Sequence, residues 1–324
     1  MAGLSRNGSS TRLVIVVALI GNCLVAISKF VAAALTGSSA MLSESIHSVV
    51  DIANELLLLY GMRKASVRPD REHPLGFGRE VYFWSFVVAL LIFTLGAGVS
   101  TYEGVVHILD PHIIEDANVS YIVLGLALLF EGTSWTVTLR KFKGKRKYSD
   151  LFKLVIRSKD PPTFIVLLED SAALIGIAIA FMGIYLSIHL NQPELDGVAS
   201  ILIGITLGLT AAVLARETKG LLIGEAANEK TRDSILKLAT EIEGIANANG
   251  VLSVHVAPQE ILVALSIEFE DRLRTPEIEA LVIELERRIR VKHPAVIAVF
   301  IKPQASGRFE KDTAGRSPSG HLAT

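Results

Sequence analysis

Six long apolar runs, separated by short polar connections, fill the first two thirds of the chain. They begin at about Leu13, Ala40, Val81, Val119, Pro162 and Gly197, and end at about Leu35, Tyr60, Leu109, Leu139, Leu190 and Leu214. Coiled as helices rising about 1.5 Å per residue, each is long enough to cross a hydrocarbon core of roughly 30 Å. The pattern predicts a six-helix transmembrane bundle over residues 13–220, preceded by a short polar N-terminus, residues 1–12. The first run is too long for the apolar core of a signal peptide and lacks a cleavage site.

After Arg216 the pattern changes. Glu229 to Ala246 has amphipathic helical spacing, and VLSVHVAP and ILVALSIEFE alternate as half-buried strands do. A helix with Thr275 as its N-cap, Pro276 in its first turn and Glu277 and Glu279 behind follows, with Ile278, Leu281, Leu285 and Ile289 on one face. The run AVIAVFI then ends at Lys302 and Pro303. The order α-β-β-α-β over residues 221–303 suits a small open α+β sandwich. Residues 304–324, rich in Ser, Gly and charge, read as a disordered tail.

Composition agrees with a membrane protein. Mean hydropathy is +0.46. Counting Gly and leaving out Tyr, about 56% of the chain is apolar, against roughly 45–50% in soluble domains. A single-core soluble enzyme is excluded, and no nucleophile–base pair or cofactor loop suggests a membrane enzyme. Net charge is −1, which announces no nucleic-acid partner, and the single cysteine, Cys23, permits neither an intramolecular disulfide nor a Cys-rich zinc site. Basic residues collect in two connections: Arg63, Lys64, Arg68, Arg71 and Arg79 in one, and nine Lys and Arg from Arg140 to Lys159 in the other. The connections TGSS, DPHIIEDANVS and NQPELDG have none. By the positive-inside rule the basic loops and both termini are cytoplasmic, which requires an even number of spans.

Ionisable side chains inside spans are costly and mark function by default. In the second run His47, Asp51 and either Asn54 or Glu55 stack on one helix face at spacings of three and four, offering imidazole and carboxylate to one point as a first-row divalent metal requires. Glu169 and Asp170 lie in the fifth run. Asp51 is roughly 16 Å from the outer end of its span and Asp170 roughly 12 Å from the inner end of its own, which brings both close to one level. Lys29, inside the first span, reads as a counter-ion for a carboxylate or a snorkelling side chain, and Glu131, in the fourth with Ser134 and Thr133 nearby, as a member of a polar pathway; structural pairing is the first reading of both.

These residues resemble the cation diffusion facilitator family. The likeness is carried by TGSSAMLSESIHSVVD and RPDREHPLGFGRE, six spans and a terminal α-β-β-α-β unit, and covers residues from about 13 to 303. SESIHSVVDIANELLLLYGMRKA and VLLEDSAALIG look most like the zinc transporter nine branch. The resemblance implies a homodimeric exporter of divalent metal in exchange for protons, with a cytoplasmic ferredoxin-like dimerisation domain and no cofactor. Zn²⁺ is the favoured cargo, with Mn²⁺, Fe²⁺ and Co²⁺ behind, and the bacterial inner membrane the expected location.

The resemblance also maps residues. His47, Asp51 and Asp170 match the family's transmembrane ligands, whereas Val166 stands where a fourth ligand is usual; Glu169, water or Asn22 are the candidates to replace it. Asp70 and His73 match a loop metal position that Phe77 leaves incomplete. His255 matches a ligand of the terminal domain whose companions appear here as Ser266, Phe300 and Lys302, so that domain is expected to dimerise without metal. Arg79 and Glu225 resemble a dimer-hinge pair. The alternative is a membrane interaction or regulatory protein that keeps the fold without transport.

Overall fold

The computed structural model describes residues 7–114, 116–143 and 159–314. Each of the six apolar runs forms a helix or a helical pair: α1 (Asn7–Thr36), α2 (Ser39–Ala65), α3 (Glu80–Leu91) continued by a π-helical segment (Ile92–Ala97) into α4 (Gly98–Leu109), α5 (Ala117–Lys143), α6 (Pro161–His189) and α7 (Glu194–Ile223). Among the described residues, five of these spans are long and apolar enough to cross a membrane; α2, which carries Glu44, His47, Asp51 and Glu55, is the polar one. The protein is thus a six-transmembrane-helix bundle followed by a small ferredoxin-like α+β domain. Most of the basic connection between α5 and α6, residues 144–158, lies outside the described residues, as do 1–6 and 315–324.

Two chain regions fold as separate units, residues 1–68 with 80–219, and residues 69–79 with 220–324. In the helical unit, α2 starts where the sequence TGSS breaks α1. Gly37 adopts φ +68°, and Ser38 Oγ accepts the Met41 amide as N-cap. A second acceptor arrives from α7: the buried Asp196 carboxylate takes Ser38 Oγ at 2.8 Å, the Ser39 amide at 2.6 Å and the Ala40 amide at 3.3 Å. A carboxylate on these free amides also complements the positive end of the α2 dipole. Asp196 therefore adds a second cap to the start of α2. Between α4 and α7, a Cβ on Gly104 would lie 2.6 Å from the Gly197 carbonyl and one on Gly197 2.7 Å from the Gly104 carbonyl. Only paired glycines allow this backbone approach, as small residues commonly do between membrane helices.

The second unit comprises α8 (Glu229–Thr240), β1 (Ile245–Ala257), β2 (Glu260–Phe269), α9 (Thr275–Lys292), β3 (Val296–Pro303) and α10 (Ser306–Ala314). The sheet has the order β1-β2-β3, with β1 antiparallel and β3 parallel to β2. Ile235 and Leu238 of α8 and Leu285 and Ile289 of α9 pack with Val263, Leu265 and Ile267 of β2 in one apolar core. Three local differences from the sequence reading have simple causes. The helix expected to reach Ala246 ends at Thr240, and Gly244, at φ +95°, turns the chain into a longer β1. Arg274, not Thr275, is the N-cap of α9, because the Glu277 side chain accepts the Arg274 amide at 2.7 Å. The described part of the segment expected to be a disordered tail forms α10: Phe309 packs at Gly250, Gln304 bonds Asp312, Asn249 and Ser266, and Ser306 donates to Asn249 of the sheet, while 315–324 lie outside the described residues.

Candidate metal site

The polar face of α2 meets α1, α5 and α6 around a cavity of about 30 Å³. That is room for an ion with one or two waters. Five carboxylates line it, Asp51, Glu55, Glu131, Glu169 and Asp170, together with Asn22, Ser48 and Ser134. The expected companions Asp51 and Asp170, from helices far apart in sequence, therefore share one wall of space. Each neighbouring helix supplies a donor that aims a carboxylate. Ser134 Oγ of α5 donates to Asp170 Oδ2 at 3.0 Å, Asn54 Nδ2 to Glu169 Oε1 at 2.7 Å, and Asn22 Nδ2 to Glu55 Oε1 at 2.7 Å. A turn-mate of Ser134, Trp135, pins α5 to α6 through Nε1 to Ser171 Oγ at 2.9 Å.

His47 is buried one turn before Asp51, with Nδ1 3.3 Å from Asp51 Oδ1. Neither ring nitrogen has a hydrogen-bond partner, and neither does Asp51 Oδ1. Buried polar atoms left without a hydrogen bond are rare and costly, so this imidazole, whose Nδ1 meets Asp51 Oδ1 only as an ion-pair contact and whose Nε2 has no hydrogen-bond partner, marks a candidate ligand position. Even so, among the described residues no three His, Cys, Asp or Glu side chains converge closely enough to hold a metal ion as they stand. Val166 lines the cavity one turn before Asp170 and offers only methyl groups. Of the stand-ins weighed for it, Glu169 and Asn22 both border the cavity, each with one polar atom already engaged.

Behind this site Lys29, expected as a counter-ion for a carboxylate, finds that partner in Glu44, which the sequence reading did not single out. Lys29 is paired with Glu44 at 3.0 Å, both fully buried, and also donates to Ser48 Oγ at 2.9 Å. Glu44 carried a signal, since it lies three residues before His47 on the same face. Glu131, read as a structural partner or pathway residue, stands on the cavity wall.

The remaining candidates lie in the second unit. Asp70 Oδ1 accepts the His73 amide at 2.6 Å and lies 3.2 Å from His73 Nδ1, on the exposed loop between α2 and α3. The His73 amide holds the Asp70 carboxyl below its ordinary range, and the His73 ring packs against Phe77 with centroids 4.4 Å apart and planes tilted by 36°. The arrangement is a self-capped turn. Gly78 of the same loop packs against Val256 and Ala257, and the Arg79 guanidinium reaches Gly224, the residue before Glu225. His255 is buried, with its amide donating to the Glu225 carbonyl at 2.9 Å. Ser266 is taken up by Gln304 and Asn249, Lys302 faces Asp312 at 3.7 Å, and Phe300 is exposed.

Residues 15–223 match the model of the cation efflux transmembrane domain. The chain is 31% identical over 264 residues to the human "Proton-coupled zinc antiporter SLC30A9, mitochondrial", covering 81% of this chain and 46% of that protein. It is 28% identical over 269 residues to metal tolerance protein C4 of Arabidopsis thaliana, 82% of this chain and 59% of the relative. With the cation-efflux pump FieF of Yersinia enterocolitica it shares 23% over 272 residues, 83% and 85% of the two chains. The chain spans about half the length of the first of these relatives. A family match over most of the bundle, carried by the same helices that build the acidic cavity, makes this chain a member of the cation efflux, or cation diffusion facilitator, family, near the zinc transporter nine branch.

Proposed function

We propose that the protein is a secondary transporter of divalent metal cations, Zn²⁺ foremost, that exchanges metal for protons and exports metal from the cytoplasm. One observation carries the reading: Asp51 and Asp170, on separate membrane helices, border one cavity, with the imidazole of His47 against Asp51. The named activity of the human relative, proton-coupled zinc antiport, supports the choice of cargo and counter-ion. Closing of the helices onto an ion would bring His47, Asp51 and Asp170 to ligand distance, with Glu169, Asn22 or water in the place that Val166 vacates. Mn²⁺, Fe²⁺ and Co²⁺ follow Zn²⁺ as cargo.

Proton exchange follows from the same ligands. Metal binds only to ionised carboxylates and neutral imidazole, so binding displaces their protons, and protons arriving from the more acidic side expel the metal. Histidine, with an ordinary pKa near 6.5, makes that exchange sensitive to physiological pH. The protein works as a homodimer held by the terminal domain, in a bacterial inner membrane with both termini cytoplasmic, and Arg79 and Glu225 sit at the hinge. The loop pair Asp70 and His73 binds metal weakly if at all, because each already serves the other.

The test is purified protein in liposomes under an imposed pH gradient. Zn²⁺ accumulating in the acidic compartment supports exchange, whereas flux indifferent to the gradient points to a uniporter. A second reading, a transport-inactive interaction or regulatory protein, draws on Val166 and on the open spacing of the ligands. Absence of flux for all four metals would favour it.

A further inference from the structure

Lys29 is the one buried lysine or arginine among the described residues. It stands beside a cavity lined by carboxylates, and its partners give it a direction. Nζ donates to Ser48 Oγ, and Ser48 lines the cavity. Its anion, Glu44, does not line the cavity. Glu44 turns away toward α6, where a Cβ at Gly176 would collide with its Oε1, and that oxygen has no hydrogen-bond partner. Neither Lys29 nor Glu44 lines the cavity itself: the ammonium reaches the cavity wall through Ser48, whereas Glu44 Oε1 faces Gly176 of α6. Ser48, which the ammonium holds, lies three residues before Asp51 on α2, so Lys29 is anchored one turn from a cavity carboxylate.

An ion pair taken out of water is weak support for a fold, because desolvation of both charges offsets their attraction. A buried ammonium in a membrane helix thus invites a functional account. Seven residues, about 10 Å along α2, separate Glu44 from Asp51, so the pair lies on the side of the site toward the TGSS turn.

We propose that Lys29 is a tethered counter-cation of the transport cavity, competing with the cargo ion for the same carboxylates, with Glu44 as the anchor that holds it back. This rests on the transport reading and adds to it a residue that sets how tightly cargo is held. An empty cavity with several carboxylates is costly in a low dielectric, and a fixed ammonium relieves that cost. The same ammonium opposes an arriving divalent cation and so favours its release. Lys29 is a positioning residue in this scheme and ligates nothing.

The two partners make opposite predictions, which a purely structural bridge does not. Zn²⁺ binding is measured by calorimetry on the purified full-length protein in detergent. Lys29→Met removes the repelling charge, and tightens binding by about a hundredfold or more at an effective dielectric near 20 over roughly 10 Å. Glu44→Gln frees the ammonium toward the cavity and weakens binding by a similar factor. Lys29→Arg keeps the charge and stays near the parental value. The double variant Lys29→Met with Glu44→Gln leaves no orphaned charge and binds as tightly as Lys29→Met, which keeps the test usable if either single variant fails to fold. Shifts of the same sign in Lys29→Met and Glu44→Gln, or a double variant that binds at or below the parental affinity, would overturn the proposal alone. Parental protein that binds no Zn²⁺ would overturn the transport reading and this inference with it.

Discussion

Asn54 of α2 donates to Glu169 of α6 through a 2.7 Å bond between two buried side chains. The bond ties the helix that carries His47 and Asp51 to the helix that carries Asp170, at the turn where Asp170 faces the cavity. It also commits one Glu169 oxygen to an amide, while Asp170, about 100° around the helix, keeps a wall position with only Ser134 on it. Glu169→Gln should therefore retain a substantial part of the Zn²⁺ flux, and Asp170→Asn should lose nearly all of it. Asn54→Leu, by orphaning the Glu169 carboxylate, should cost about 1–3 kcal/mol of stability, seen as a lower melting temperature in detergent.

Val166 is the cavity's apolar gap. A histidine there lies four residues before Asp170, so both side chains fall on one face of α6. Val166→His should supply a nitrogen donor and tighten Zn²⁺ binding by about tenfold or more, an increment of about 1.4 kcal/mol or greater. Titration of the variant beside the parent checks this, and the same variant should favour Zn²⁺ over Mn²⁺ because imidazole suits the softer ion.

The clamp of Asp196 on the start of α2 acts at a distance from the cavity. Asp196→Ala leaves Ser38 Oγ and the Ser39 and Ala40 amides without this acceptor, a loss of about 1–3 kcal/mol. Thermal unfolding should report the loss, with Zn²⁺ affinity of the folded fraction little changed.

In the second unit, a Cβ on Gly78 would lie 2.5 Å from Ala257 Cβ and 2.7 Å from the Val256 carbonyl. Gly78→Ala should push the loop of residues 69–79 off β1 at a cost of about 1–3 kcal/mol. Limited proteolysis should then cut that loop faster than in the parent.

The bundle was legible because apolar length alone defines a span, and the α-β-β-α-β order because alternation and cap residues mark strands and helix starts. His47 and Asp51 stood out because ionisable residues at helical spacing are rare in apolar runs. Glu44 and Asp196 were harder to assign, since their roles depend on partners fifteen and about 157 positions away, Lys29 and the Ser38–Ser39 turn. Spacing within one helix carries no trace of such contacts. The π-helical segment at Ile92–Ala97 left no mark in hydropathy, because a π turn changes hydrogen-bond register and not composition. Helix α10 was hidden by a polar composition typical of tails; it folds against the sheet through a polar network and one aromatic, Phe309, set on Gly250.

The central claim is that Asp51 and Asp170 together carry a divalent ion through the membrane. Uptake of radioactive Zn²⁺ into liposomes holding equal amounts of parental, Asp51→Ala and Asp170→Ala protein, under the same pH gradient, tests it most directly. The account predicts that each variant falls to the rate of protein-free liposomes, because removing either carboxylate leaves a divalent ion in a low dielectric with too little negative charge. Either variant transporting Zn²⁺ at the parental rate would contradict it.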